Sequence, residues 1–473
     1  MTSGTFLLMR HELLLIGAAL LVLMAEIFMD PGKKKSISLF AIIVFGVITL
    51  AGFLPSQSGI LFGGMYVTSG TQLMMKNILN IGALLVFIQS VPWLKKDEHN
   101  EKVSEYFILL ISTLTGMNFM ISSGHFLMFY IGLELASIPL AALAAFDRYK
   151  NKSAEAGIKF ILSSALSSGI LLYGLSMIYG TTGTLYFTEV AAQLGADNLQ
   201  VLGFIFFFTG MAFKISIVPF HLWTADVYEG SPTNITSYLS VISKGAAAFI
   251  LIILLFSVFP VLMITWQKTI YVTAVLTMTI GNLFAIRQQN LKRFLAFSSI
   301  SQAGYILLGF IGGNELGMAS VIYYVLVYIF SNLGAFGVVI AISNATDKEN
   351  IDDYNGLYHT NPKLSLIMTL ALFSLAGIPP VAGFFGKFFL FTAAAQEGFY
   401  LLVLIAVLNT IISLYYYLLV VKAMFINKNE TPIEGFRSDF STKLALGLCV
   451  AGIVVTGFAS YLFEAIRNLS FGV

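Results

Sequence analysis

The sequence predicts an all-α integral membrane protein of about fourteen transmembrane helices, and three observations predict it. Of the 473 residues, 58% are hydrophobic and only 11% are charged, where a soluble domain carries about 25% charged residues. The mean hydropathy is +0.86. The apolar residues gather in runs near the roughly 20 residues that cross a bilayer. Lys and Arg gather in every second connection between them.

Taken in order, the first run, 13–29, reads as a retained span rather than a signal peptide. It is long, contains Glu26, lacks a small-residue cleavage pattern and ends at Asp30, Pro31 and Gly32 before a lysine triplet. Further runs follow at 37–54, 73–92, 106–122, 126–146, 154–179, 200–223 and 235–257. The second half adds 267–286, 294–312, 316–343, 364–392, 399–425 and 443–465. Odd-numbered connections hold Lys33, Lys34, Lys35; Lys95, Lys96, Lys102; Arg148, Lys150, Lys152; Arg287, Lys292, Arg293; Lys348, Lys363; and Lys428, Arg437, Lys443. The even-numbered ones hold only Lys76 and Lys268, near span ends. Basic residues collect in short cytoplasmic loops, so the pattern supports the count and places both termini outside. One odd connection departs from it: the turn at 224–233 carries Asp226 and Glu229 but no Lys or Arg.

Two runs are interrupted. Pro219 breaks the seventh, and Pro379 with Pro380 breaks the twelfth. A helix-interior proline removes a donor and crowds the carbonyl four residues back, and freed backbone at membrane depth is tolerated only where protein or water satisfies it. Gly/Pro-broken segments in corresponding halves point to inverted repeats. The expected organisation is three N-terminal spans in 1–104, a first five-helix repeat in 105–258 (spans 4–8), a second in 259–426 (spans 9–13), and a loop with span 14 in 427–473. The match has one asymmetry: Lys214 precedes its proline, whereas Lys387 follows its pair.

An ionised side chain at mid-bilayer costs about 2.5–3.5 kcal/mol on insertion scales, so each such residue is a functional candidate. Five lie inside runs: Glu134, Lys159, Lys214, Lys244 and Lys387. A lysine beside a carboxylate keeps its proton, and an isolated one in low dielectric gives it up. Moving the carboxylate would therefore switch a lysine between holding and releasing. His221, just past the first break, either bridges the lysines as a relay or satisfies broken backbone. Lys159 sits near the start of its run and either joins this set or snorkels to the interface. His125, at a span entrance, reads as interfacial, and Glu26 and Glu464, near span ends, as solvated.

Other function classes find little support. The lone Cys449 precludes an internal disulfide or an iron–sulfur cluster held by this chain alone. The five histidines are scattered, no dinucleotide or phosphate-loop pattern occurs, and a net charge of +2 without a basic cluster suggests no nucleic acid.

Three stretches then carry a resemblance: FKISIVPFHLWTADVYEGSPTNITSYLSVISK, NLKRFLAFSSISQAGYILLG and SLAGIPPVAGFFGKFFLF. They closely resemble the antiporter-like subunit N family of the proton-pumping NADH:quinone oxidoreductase, respiratory complex I, and the likeness runs over nearly the whole chain. The VYEGSPT turn separates this family from its sister subunits M and L. The resemblance implies a proton-translocating membrane-arm subunit of a bacterial inner membrane. Glu134 then matches the acid of span five, Lys159 the additional lysine of span six, Lys214, Lys244 and Lys387 the lysines of spans seven, eight and twelve, and His221 the histidine past the break. It also implies no cofactor on this chain, FMN and iron–sulfur clusters in partner subunits, sister antiporter-like subunits alongside, and quinone bound elsewhere in the complex. Gln302 departs from the pattern, because relatives often carry histidine there. A subunit of a multi-subunit cation/proton antiporter, or of a related membrane-bound hydrogenase complex, is the alternative.

Overall fold

A computed structural model describes residues 5–29 and 36–469. The lysine triplet at 33–35 lies outside the described residues. A helix coincides with each apolar run. The first half contains α1 (Arg10–Phe28), α2 (Ile37–Ala51), α3 (Gly70–Leu94), α4 (Val103–Ile121), α5 (Phe126–Ala144), α6 (Asn151–Thr182), the short α7 (Phe187–Gln193), α8 (Asn198–Ile215), α9 (Leu222–Gly230), α10 (Thr233–Tyr238) and α11 (Lys244–Ser257). The second contains α12 (Met263–Ala285), α13 (Leu291–Ile311), α14 (Glu315–Thr346), the one-turn α15 (Leu357–Thr360), α16 (Pro362–Ala376), α17 (Ala382–Gln396), α18 (Tyr400–Phe425), α19 (Phe440–Phe458) and α20 (Ser460–Leu469). Among the described residues, twelve helices are long and apolar enough to cross a membrane, counting a continuous α10–α11, while Ile37–Ala51 and Pro362–Ala376 are shorter apolar helices.

The helices divide by what surrounds them. All residues of α13 except Arg293 and nearly all of α11 and α14 are buried. Burial on every side means that other helices enclose these three, which form the centre. By contrast, α1, α12, α18 and α19 turn many apolar residues outward, such as Leu20, Ile264, Leu404 and Val455, as lipid-facing helices do.

Helix ends follow from local chemistry. Asp197 accepts from the Leu199 and Gln200 N–H groups to cap α8, and Asn290 does the same for α13. His125 caps α5 by accepting from Leu127 N–H at 3.0 Å. The last run is not one helix: α19 stops at Phe458 and α20 follows as a separate piece whose apolar residues share one face.

A small hairpin, β1 (Gly59–Leu61) paired antiparallel with β2 (Tyr66–Thr68), covers the ends of α3 and α4. It is held there by Val67 N–H to Ser122 O and Gly124 N–H to Met65 O, both 2.8 Å. This cover changes the reading of Lys76. Its helix begins at Gly70 and the hairpin closes over it, so Lys76 is wholly buried rather than interfacial.

Each break satisfies its own backbone, and in the same manner. In the first, Ser216 takes the left-handed region (φ 67), Ile217 N–H donates to Ala212 O and Phe220 N–H to Ile217 O. In the second, Gly377 takes it (φ 85), Ile378 N–H donates to Phe373 O and Val381 N–H to Ile378 O. Side chains complete both: Thr277 Oγ1 accepts from Val218 N–H at 3.0 Å, and Ser374 Oγ from Gly383 N–H at 3.2 Å.

Helices α4 and α5 meet through glycines. A Cβ on Gly116 would lie 2.4 Å from Ala136 N, and one on Gly132 would lie 2.7 Å from Met120 N, both backbone atoms that cannot move independently. Gly116→Leu is therefore expected to separate the two helices and lower the melting temperature of the purified chain, with Gly447→Leu, where a Cβ meets open space, as control. Equal melting of the two variants would contradict this packing.

Candidate functional site

The lysines predicted from sequence stand at the two breaks and between them. Lys214 is in the last turn of α8, where free carbonyls and the helix dipole favour a cation. Its ammonium donates to Ser137 Oγ of α5 and Ser164 Oγ of α6, each at 2.7 Å. Glu134 lies three residues before Ser137 and so shares its helix face. It is within electrostatic reach of Lys214, and its buried Oε1 has no hydrogen-bond partner. Both residues are half-buried. A cavity of about 20 Å³ beside Lys214 is lined by Met117, Met120, Met211 and Ser243, which is room for about one water.

Ser243 ends a π-helical turn, Leu239–Ser243, that interrupts α10–α11 immediately before Lys244. Such turns rotate the following residues relative to a regular helix. Lys244 is 3% exposed. It donates to Ser299 Oγ of α13 at 2.7 Å and lies 5.4 Å from the centre of the Tyr228 ring. His221 precedes α9, is within electrostatic reach of Lys244, and has a buried Nδ1 without a partner.

From Lys244 a run of polar groups leads to the second break. Ser298, beside Ser299, is 2.5 Å from the Tyr417 hydroxyl. Gln302, one turn further along α13, donates to that hydroxyl at 3.1 Å and to Leu375 O at 3.0 Å, and it accepts from the Tyr324 hydroxyl. The next carbonyl, Ala376 O, ends α16 and accepts from Lys387 at 3.1 Å. Lys387 also stands 4.4 Å from the centre of the Tyr305 ring. The asymmetry noted in the sequence thus closes in space, because Lys387 follows its break but reaches back to it.

Lys159 is placed elsewhere. Its side chain is 42% exposed and pairs with Glu155 and Asp226, each at 2.7 Å. Arg293 binds Asp226 at 2.8 Å and Glu229 at 3.1 Å, and Lys152 binds Glu229 at 3.2 Å. The acidic 224–233 turn is therefore neutralised by basic residues of neighbouring connections. Beside it, on the face opposite the hairpin, opens a polar cavity of about 210 Å³ lined by residues including Asp147, Lys152, Glu229, Asn234, Lys292 and Glu349.

Sequence reasoning missed the hydroxyl partners and the bridging part of Gln302. Ser137 left a signal in its spacing from Glu134. Gln302 stood out only as a departure from the resembled pattern, which did not show its contacts. Among the described residues, no group of three or more His, Cys, Asp or Glu side chains is arranged to hold a metal ion.

Residues 123–413 match the family model for NADH:quinone oxidoreductase/Mrp antiporter membrane subunits. The chain is 54% identical over 461 residues to NADH-quinone oxidoreductase subunit N of Phocaeicola vulgatus, covering 97% of this chain and 98% of the relative. It superposes on a chain of respiratory complex I from Thermus thermophilus with a TM-score of 0.82 and 27% identity, covering 96% and 99% of the two chains. A chain of the Mrp complex from Dietzia shares the fold, with a TM-score of 0.87 at 21% identity over 99% and 97% of the chains. The chain therefore belongs to the subunit N family of the NADH-quinone oxidoreductases.

Proposed function

We propose that this chain is a proton-translocating membrane-arm subunit of a bacterial NADH-quinone oxidoreductase, in which Glu134, Lys214, His221, Lys244 and Lys387 carry the proton. One observation supports the reading of these residues: protonatable and hydroxyl-bearing side chains lie in succession between Lys214 and Lys387, with Ser243 at the Lys214 cavity next to Lys244, Lys244 on Ser299, and Ser298 and Gln302 on Tyr417. The chain sits in the inner membrane among other membrane-arm subunits, including sister antiporter-like ones. NADH oxidation, with its flavin and iron–sulfur centres, and the quinone belong to partner subunits. Both termini face outward, fourteen helices cross the bilayer, and the two matching breaks support a pair of inverted five-helix repeats.

The chemistry follows from how each ammonium is held. Serine hydroxyls and a carbonyl solvate Lys214, Lys244 and Lys387 without neutralising them. Burial alone opposes the charged form, so the protonated state depends on nearby charge. Glu134 supplies that charge for Lys214. It stands half-buried on α5, beside the outward apolar residues Ile131 and Ile138, where an adjoining subunit can move or neutralise it. When the carboxylate withdraws, Lys214 releases its proton through the adjacent cavity. Toward Lys387, Ser299, Ser298, Tyr417 and Gln302 supply donors and acceptors, with His221 beside Lys244 as a further acceptor. The polar cavity near Glu229 provides water access from the inner face. Lys159, tied to Asp226 and Glu155, guards this uptake face rather than joining the other lysines.

In the assembled complex, Lys214→Ala and Glu134→Ala are each expected to slow NADH-driven proton pumping by at least tenfold, corresponding to about 1.4 kcal/mol on the barrier, while leaving assembly intact. Vesicle pumping assays decide this, and a normal proton-to-electron ratio in a fully assembled variant would sink the reading. Gln302→Leu keeps the volume but removes the bridge to Tyr417 and Leu375, so it should also impair pumping, whereas Gln302→His should retain most of it. Wild-type pumping in Gln302→Leu would remove that residue from the path. Purification from native membranes should yield NADH-driven quinone reduction with bound flavin; a flavin-free assembly of membrane subunits would favour a cation/proton antiporter.

A further inference from the structure

A second enclosed set of charges lies apart from Lys214, Lys244 and Lys387. Glu12, in the first turn of α1, and Lys76, in the second turn of α3, approach to 2.5 Å, and neither side chain reaches solvent. The Tyr66 hydroxyl of β2 donates to Glu12 Oε2 at 2.9 Å and accepts from Lys76 at 3.1 Å. A pair enclosed in this way is no more stabilising than well-packed apolar side chains of similar size. Its placement points to use of the charges themselves.

The surroundings point the same way. On α3, Gln72, Lys76 and Asn80 recur every four residues and share a face, as Asn118 and Ser122 do on α4. Gln72 donates to Ile121 O at 3.1 Å and so sets the two stripes together. Along them, Gln72 Oε1, Ser122 Oγ and both amide atoms of Asn80 and of Asn118 are buried with no protein partner. Buried polar atoms are nearly always hydrogen-bonded, to water where not to protein, and polar sites of this kind hold ordered water. The same helix reaches the other site: Met117, next to Asn118 in sequence, and Met120 line the cavity at Lys214. At its other end, His11 Nε2 meets Asn77 Oδ1 at 2.9 Å and Asn77 donates to Gly52 O at 3.1 Å, while Arg10, at the exposed edge, donates to Gly52 O and Pro55 O.

We propose that the Glu12–Lys76 pair is a proton-release station, which takes a proton from the Lys214 cavity along the Asn80 and Asn118 stripe and discharges it at the hairpin face. The proposal rests on the proton-translocation reading above. A proton reaching the Glu12 carboxylate converts it to the acid and removes the charge that holds Lys76 protonated. The ammonium then passes one proton to water beside His11 and Asn77 and becomes an amine. Transfer of the Glu12 proton to that amine restores the carboxylate and ammonium, so one proton enters and one leaves per cycle. Tyr66 holds the two groups in register throughout.

The test uses the whole complex in sealed membrane vesicles. The double variant Glu12→Gln, Lys76→Met keeps the shape of the pair without its charges. It should assemble, reduce quinone, and pump fewer protons per NADH than wild type. Should it fail to assemble, Asn118→Leu and Tyr66→Phe carry the test, each expected to lower the same ratio. An unchanged ratio in any of these assembled variants would make the pair a static clasp and overturn the proposal. Lys214→Ala, measured in parallel, separates the two readings. Loss of pumping there with normal pumping in the double variant sinks the release station alone, and normal pumping in Lys214→Ala sinks the parent reading.

Discussion

The centre of this structure depends on keeping the ammonium groups of Lys214, Lys244 and Lys387 inside an apolar bundle without permanently neutralising them. An unpaired buried charge is costly unless hydrogen-bonded, and a fixed carboxylate partner would hold the proton in place. The chain takes a third course. Lys214, Lys244 and Lys387 each donate to neutral oxygen: two serine hydroxyls, one serine hydroxyl and one helix-terminal carbonyl. The half-buried carboxylate of Glu134 adds a single adjustable charge at one end. Such sites are sensitive to a distant change in charge because nothing local fixes their state.

The broken helices make those sites possible. Regular helices offer no free carbonyl at mid-bilayer; the second break supplies Ala376 O to Lys387, and both breaks tie other backbone groups to residues such as Thr277 and Ser374. The ends created this way receive Lys214 in the last turn of α8 and Lys387 opposite the last residue of α16. Enclosure of α11, α13 and α14 keeps the serines, Gln302 and the tyrosines between them away from lipid.

Much of this was legible because hydropathy and proline act locally. The apolar runs located the helices, Pro219 and the Pro379–Pro380 pair located the breaks, and lysines inside apolar runs stood out. What escaped depends on contacts between distant segments. Ser164 and Ser299 are unremarkable until folding brings them to Lys214 and Lys244. Gln302 was marked only as a departure from the resembled pattern; its bridge to Tyr417 and Leu375 depends on contacts between distant helices. The run containing Lys159 could not say that Asp226 would hold it at the surface. Lys76 stood near a span end because the two three-residue strands of the hairpin that covers it are too short to register as an apolar run, and its partner Glu12 fell just before the first run. The split at Ala459 was hidden because α20 is apolar on one face only.

Proton pumping through this chain requires these lysines to change protonation during turnover. Infrared difference spectroscopy of the assembled complex, with lysine labelled by heavy nitrogen and NADH as the trigger, tests it most directly. Label-sensitive ammonium bands should appear and decay with turnover and lose amplitude when Lys214 is replaced by alanine. Lysine bands that stay constant while the complex pumps protons would contradict it.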